Sequence, residues 1–231
     1  MKCLPLFFLV SLMGLASCEM YPGKGDPLPD HPNAATLKKA ILKVAQRAQG
    51  ECDDQDNDPR VRQALDSLTE RLLALTPARS AAEKLPQVLG VWKQVWSDAP
   101  FTSIPGACFD ADEIYQVVFE DGFYYNIAEV AFPDQTSVGF TRGEYTARDS
   151  SLSVRFTRSI SVFGVIEDFP DLTEASLRVE SGEITPDFTR PTADEDLTLV
   201  NVYVDDRLRI VADNQDLSES ESIFILERVD R

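Results

Sequence analysis

From Pro86 onward the chain is a succession of short β-branched and aromatic runs separated by turn residues, and this pattern limits the accessible folds more than any other. The clearest run sets Leu152, Val154 and Phe156 against Ser153, Arg155 and Thr157, so one face buries while the other meets water. Residues 89–96 open the series. Residues 114–119 and 123–132 flank Asp121-Gly122, a pair that tolerates the positive φ angles of a tight two-residue turn, and so predict a hairpin. A second hairpin is expected over 202–211, turning on Asp205-Asp206, and 222–229 is the last strand. Several short antiparallel strands fit a sandwich or a barrel, and closure into a barrel removes exposed strand edges.

Ahead of the strands the period changes. Leu37, Ile41, Val44 and Ala48 share a helical face with Lys38, Lys39, Lys43 and Arg47 on the others, and Gly50 ends the pattern. Asp58-Pro59 announces a second helix, a cap followed by proline where a missing N–H costs little. Val61, Leu65, Leu68, Leu72 and Leu75 form its stripe, which stops before Pro77. These stripes are expected to pack on each other or on the sheet.

The amino terminus carries an export signal. Lys2, an apolar stretch over 4–15 and Leu15-Ala16-Ser17-Cys18 read as a bacterial lipobox, too short for a membrane span of ~20 apolar residues. Residues 1–17 are then signal peptide and Cys18 is the lipidated first residue, with palmitate among the expected acyl chains; ordinary signal cleavage near Cys18 is the alternative. Two or more acyl chains anchor stably where one does not. Glu19, not Asp, follows the cysteine, which slightly favours the outer membrane of a cell envelope. The Pro-, Gly- and Asp-rich stretch that follows makes 18–34 a solvated tether, ahead of a helical segment at 35–77 and a barrel domain at 86–231.

The 231 residues hold 22 basic and 39 acidic side chains, a net charge of −17 at pH 7 that repels phosphate backbones and argues against nucleic acid as a partner. With Cys3 removed and Cys18 lipidated, Cys52 and Cys108 remain in an oxidising compartment. A disulfide between them would stabilise by ~4 kcal/mol in the chain-entropy model; two separate thiols are the other state.

Catalytic machinery is hard to assemble from this chain. The single histidine, His31, sits in the tether, away from any Ser-His-Asp or Cys-His arrangement and from zinc sites of the usual composition. Asp54, Asp56 and Asp58 have the opening spacing of a calcium loop, but Pro59 stands where the turn needs Gly and Leu65 where a bidentate Glu is needed. Glu113, Glu120 and Glu129 could pair for acid-base work, although no spacing singles out two of them. We therefore expect no enzyme, no metal and no cofactor. Trp92, Trp96, Phe119, Phe123, Tyr125, Phe132, Phe140 and Phe156 lie on the presumed strands, and most are expected to fill the barrel interior. A wider barrel would leave a cavity for an apolar ligand.

The order of motifs resembles the plastid lipid-associated protein family, also called fibrillins, whose β domain is related to lipocalins. The resemblance runs through the leucine-rich helix at 68–77, Gly90-Val91-Trp92, Tyr115-Gln116-Val117-Val118, and Tyr125-Asn126-Ile127-Ala128-Glu129-Val130. It continues through Tyr203-Val204-Asp205-Asp206-Arg207-Leu208-Arg209-Ile210, its most distinctive element, and Ile223-Phe224-Ile225-Leu226-Glu227-Arg228. The acidic segment 212–221 departs from the family's Gly-rich tendency, and the bacterial lead departs from a plastid transit peptide.

The resemblance implies a mainly β member of the α+β class, with a short helical lead-in followed by an antiparallel lipocalin-like β-barrel. It also implies that Trp92 closes the barrel base, with Arg209 or Arg228 stacked on it as a cation. The function expected is binding or sequestration of a hydrophobic small molecule (a lipid, isoprenoid or quinone) by a membrane-anchored lipoprotein. The alternative is a structural or interaction lipoprotein of the envelope, with a filled barrel and no ligand.

Overall fold

The structure is a computed structural model and describes residues 29, 31–48, 59–99, 108–148, 151–190, 192 and 196–231. Cys18, Cys52 and the acidic loop 53–58 lie outside the described residues, and of Cys108 only the backbone is described. Three helices precede the sheet: α1 (Ala34–Ala48), α2 (Pro59–Leu73) and α3 (Ala81–Val88). The strands are β1 (Gly90–Ser97), β2 (Cys108–Val118), β3 (Phe123–Phe132), β4 (Gln135–Arg148) and β5 (Ser151–Phe163), then β6 (Phe188–Arg190), β7 (Asp196–Val204), β8 (Leu208–Ala212) and β9 (Ile223–Arg228). A fourth helix, α4 (Leu172–Ser181), lies between β5 and β6.

Antiparallel pairing runs β4-β3-β2-β1-β9-β8-β7-β5, and β4 pairs with β5 from Ser137↔Phe163 to Arg148↔Ser151, which closes an eight-strand barrel. The short β6 lies on the same edge of β5 as β7. It pairs with Ser159–Ser161, while β7 pairs with Leu152–Arg155. Register shifts interrupt the ladders at Gln94/Trp96, Phe109/Ile114, Arg142/Gly143 and Asn201/Tyr203, and such bulges supply the bending that closure requires. The mainly β architecture with a helical lead-in agrees with the sequence.

The β2–β3 hairpin departs from the expected two-residue turn. The Phe119 N–H donates to the Phe123 carbonyl at 2.9 Å, leaving Glu120-Asp121-Gly122 as a three-residue loop, with Gly122 at φ +93° where a side chain would be strained.

Both faces of the barrel wall are buried. Leu37, Ile41, Leu65, Leu68 and Leu72 of α1 and α2 pack against Val95, Trp96, Leu208, Ile210, Ile223 and Ile225. On the other side Leu172, Ala175 and Val179 of α4 pack with Tyr115, Tyr125, Ile127, Phe140 and Ile160. The lumen holds a third cluster around Trp92, Tyr124, Tyr145, Leu152, Val154 and Leu226, which α3 stops from below with Ala81 and Val88. This arrangement corrects the expectation that the strand aromatics fill the interior. Trp96, Tyr125 and Phe140 belong to the clusters beneath the outer helices, because helices coat the wall and make its outer face as apolar as its inner one.

Two helices fall where the strand pattern suggests none, and both follow local cap chemistry. Ser80 and Glu83 form a reciprocal capping box at the start of α3, the Ser80 N–H donating to Glu83 Oε2 at 2.8 Å and the Glu83 N–H to Ser80 Oγ at 3.3 Å. In α4 the Asp171 carboxylate accepts from the Glu174 N–H at 2.9 Å, and Gly182 at φ +79° ends the helix.

Candidate functional site: the barrel lumen

The floor of the lumen is built from the turn between β7 and β8. Asp205 organises it, accepting the backbone N–H groups of Arg207 at 2.9 Å and Leu208 at 2.8 Å, the Tyr203 hydroxyl at 2.7 Å and the Lys38 ammonium at 2.5 Å. Burial opposes ionisation of this carboxylate, yet these donors together hold its pKa below the ordinary value. With the turn set, alternation sends Leu208 and Ile210 outward beneath α1 and α2, while Arg209 enters the lumen.

Arg209 is 1% exposed. Its Nε donates to Asn201 Oδ1 at 2.6 Å and its Nη1 to Gln116 Oε1 at 2.9 Å, both neutral acceptors. Burial, with a contribution from Arg228, pulls its pKa down to about 10. The guanidinium centre lies 5.9 Å from the Trp92 ring centroid, while that of Arg228 stacks at 4.2 Å. Trp92 is fully buried and donates its indole N–H to the Val88 carbonyl at 2.7 Å. Arg228 also donates to the carbonyls of Leu89 at 2.7 Å and Gln87 at 2.5 Å, tying β9 to the end of α3. Gly90, at φ +110°, makes this approach possible, because a Cβ there would lie 2.6 Å from Arg228 Nη1.

Lys84 of α3 is buried too, its ammonium donating to the Asn201 and Val202 carbonyls that the β7 bulge leaves turned toward it. Burial, aided by the nearby Arg79 charge, lowers its pKa. Tyr124 lies flat against Gly143, where a Cβ would stand 2.2 Å from its ring. Among the described residues its hydroxyl and Asn126 Oδ1 meet no hydrogen-bond partner of good geometry, although the Asn126 side chain lies near enough to act on the hydroxyl. Burial drives the Tyr124 pKa far up, with Arg209 and Asn126 opposing.

Above this floor the lumen opens into a cavity of about 300 Å³. Its wall mixes Gln94, Gln116, Asn126, Thr141, Ser159 and Ser161 with Ile114, Ala128, Val130, Phe132 and Phe224. Gln116 pairs across the sheet with Trp92 on one side and Asn126 on the other, and Asn126 pairs with Thr141, so one layer carries the stacked base into the polar wall. A second hollow, about 530 Å³, lies on the surface between α1 and the β7–β8 turn and is lined by Lys38, Lys39, Lys43 and Arg207. Three lysines of α1 thus meet Arg207 of the β7–β8 turn, Lys38 being paired with Asp205 and Arg207 with Glu227.

The carboxylates weighed for catalysis are separated. Glu113 Oε2 accepts from the Tyr115 hydroxyl at 2.8 Å and from Arg231 at 3.1 Å; Glu129 Oε2 accepts the Ile166 N–H at 2.7 Å; Glu120 is exposed on the hairpin. His31 is exposed ahead of α1. Sequence reasoning brought Trp92, Arg209 and Arg228 to attention and missed Gln116, Tyr124 and Asn126. Their polar atoms at inward strand positions were the available signal, but with both wall faces buried the inward parity was not readable.

No curated protein and no solved structure matches the chain. Residues 35–226 match the PAP_fibrillin family, from the second residue of α1 to the fourth of β9. With the helical lead-in, the closed barrel and the Asp205–Ile210 turn all inside that span, the chain belongs to the PAP_fibrillin family.

Proposed function

We propose that the protein binds and sequesters a hydrophobic small molecule in the open half of its barrel, held at the cell envelope by lipid on Cys18. The observation that carries this reading is the cavity of about 300 Å³ inside the closed barrel, at the lower end of the range of ~300–1,000 Å³ for small-molecule sites. Its mixed wall suits a molecule with a long apolar body and at least one polar group. The lipobox ending at Cys18 supports the attachment proposed, with 18–34 as the tether and the outer membrane as the favoured location.

The test is native purification of the protein beginning at Glu19, followed by solvent extraction and lipid mass spectrometry. A stoichiometric acyl, isoprenoid or quinone species supports the reading and names the cargo. A clean and thermally stable protein that also takes up no added lipid overturns it in favour of a filled barrel acting through its surface.

A further inference from the structure

Among the described residues the lumen holds a positive charge without a counter-charge. Arg209 is buried, its two hydrogen bonds go to neutral amides, and among the described residues its electrostatic neighbours are Tyr124, Tyr145 and a second cation, Arg228. A guanidinium has five N–H donors, and a buried charge is costly unless it is paired. Two further polar atoms in the same region, the Tyr124 hydroxyl and Asn126 Oδ1, are buried without a hydrogen-bond partner of good geometry among the described residues, and Tyr124 is only 4% exposed. Unsatisfied groups of this kind are rare in a folded protein, and beside an unneutralised cation the hydroxyl is free to donate to an incoming acceptor. A water-sized void of about 10 Å³ separates Arg209, Tyr124 and Tyr145, and Gln116 joins this region to the open cavity, lining the cavity while accepting from Arg209.

We propose that the floor of the lumen is a carboxylate subsite. Arg209 and the Tyr124 hydroxyl receive the carboxylate of a long-chain acid whose tail occupies the open half of the barrel. A carboxylate only accepts hydrogen bonds, which suits a donor-only guanidinium beside a phenol O–H free to donate, and its bonds to a guanidinium are charge-assisted. On entry it takes over from Gln116 as the acceptor on Arg209 Nη1, exchanging a neutral partner for an anionic one. A cation this deep selects for an acid head group over an alcohol of the same chain length, whereas an apolar lumen would not distinguish them. This inference rests on the carrier reading above and specifies the cargo's head group.

The experiment is calorimetric titration of the delipidated full chain, held in an amphipathic polymer, with palmitate and separately with hexadecanol. Wild-type protein, Arg209→Met and Tyr124→Phe are compared, with circular dichroism to check folding. Wild type should bind palmitate at least tenfold more tightly than hexadecanol. Arg209→Met should lose that preference while keeping its hexadecanol affinity, and Tyr124→Phe, which removes only one oxygen, should reduce the preference severalfold. Equal binding of acid and alcohol by wild type refutes the carboxylate subsite and leaves the carrier reading standing, as does a preference that survives in both variants. If neither ligand binds, the carboxylate subsite is refuted, and the carrier reading is decided by the lipid extraction above. Should Arg209→Met not fold, the wild-type contrast and Tyr124→Phe still decide the question.

Discussion

Replacing Trp92 with alanine tests the account of the closed barrel end most directly. The side chain is fully buried, its ring lies under Arg228 at 4.2 Å and its indole N–H is held by Val88 at 2.7 Å. Truncating a buried Trp costs ~3–5 kcal/mol through lost transfer energy and the cavity left behind. The hydrogen bond adds about 1 kcal/mol and a desolvated cation–π contact up to about 2 kcal/mol, though these overlap with the packing loss. A net of about 5 kcal/mol, at ~2–4 °C per kcal/mol for a domain of this size, lowers Tm by roughly 10–20 °C. Trp92→Phe keeps a ring under Arg228 and loses the N–H, so it should fall between the two. Differential scanning calorimetry reads all three. A drop below ~4 °C for Trp92→Ala, about 1 kcal/mol on the same scale, would show that the Trp92–Arg228 stack does not hold the barrel closed.

Gly143→Ala places a methyl group 2.2 Å from the Tyr124 ring, so the ring or strand must shift. The expected cost is ~1–3 kcal/mol, read as a lower urea midpoint with an unchanged slope, and an unchanged midpoint contradicts the close packing. Acid should weaken the clamp of α4 on the wall. Burial raises the Glu180 pKa, but the Tyr125 hydroxyl at 2.6 Å and the Arg142 and Arg158 guanidiniums outweigh it and hold the net value below the ordinary one. A lowered folded pKa contributes stability above the unfolded value of ~4.3, and that contribution disappears as pH falls through the folded value. Melting temperature measured from pH 6 to pH 3 should therefore decline less steeply for Glu180→Gln than for wild type, and parallel curves would contradict the assignment. Cys18→Ser should abolish incorporation of radiolabelled palmitate and release the protein from the membrane fraction; continued labelling would rule out Cys18 as the acyl site.

The helices and strands were legible where a local signal reports a local cause. The stripe Val61, Leu65, Leu68, Leu72 predicts the buried face of α2, since helical periodicity decides which side packs, whereas Leu75, read into the same stripe, lies beyond the end of the helix at Leu73 and is 54% exposed. The caps of α3 and α4 are local as well: Ser80 with Glu83, and Asp171 with Gly182, are readable pairs once a helix is sought within a strand-rich segment. The candidate site was only partly legible. Trp92, Arg209 and Arg228 stand out as large or charged residues on strands, while Gln116, Tyr124 and Asn126 look like ordinary strand residues.

By itself the sequence determines the helical stripes of α1 and α2, the turn at Asp205 and the family motifs, because each rests on residues adjacent or one helical turn apart. The tertiary structure alone decides which strand face is lumen. Trp96, Tyr125 and Phe140 face outward because α1, α2 and α4 bury the outer wall. It alone brings Arg209 next to Gln116 and Tyr124, residues far away in sequence that meet only when the strands close around the lumen. Whether a cation is paired depends on every neighbour within a few ångströms, and that set exists only after the sheet has closed.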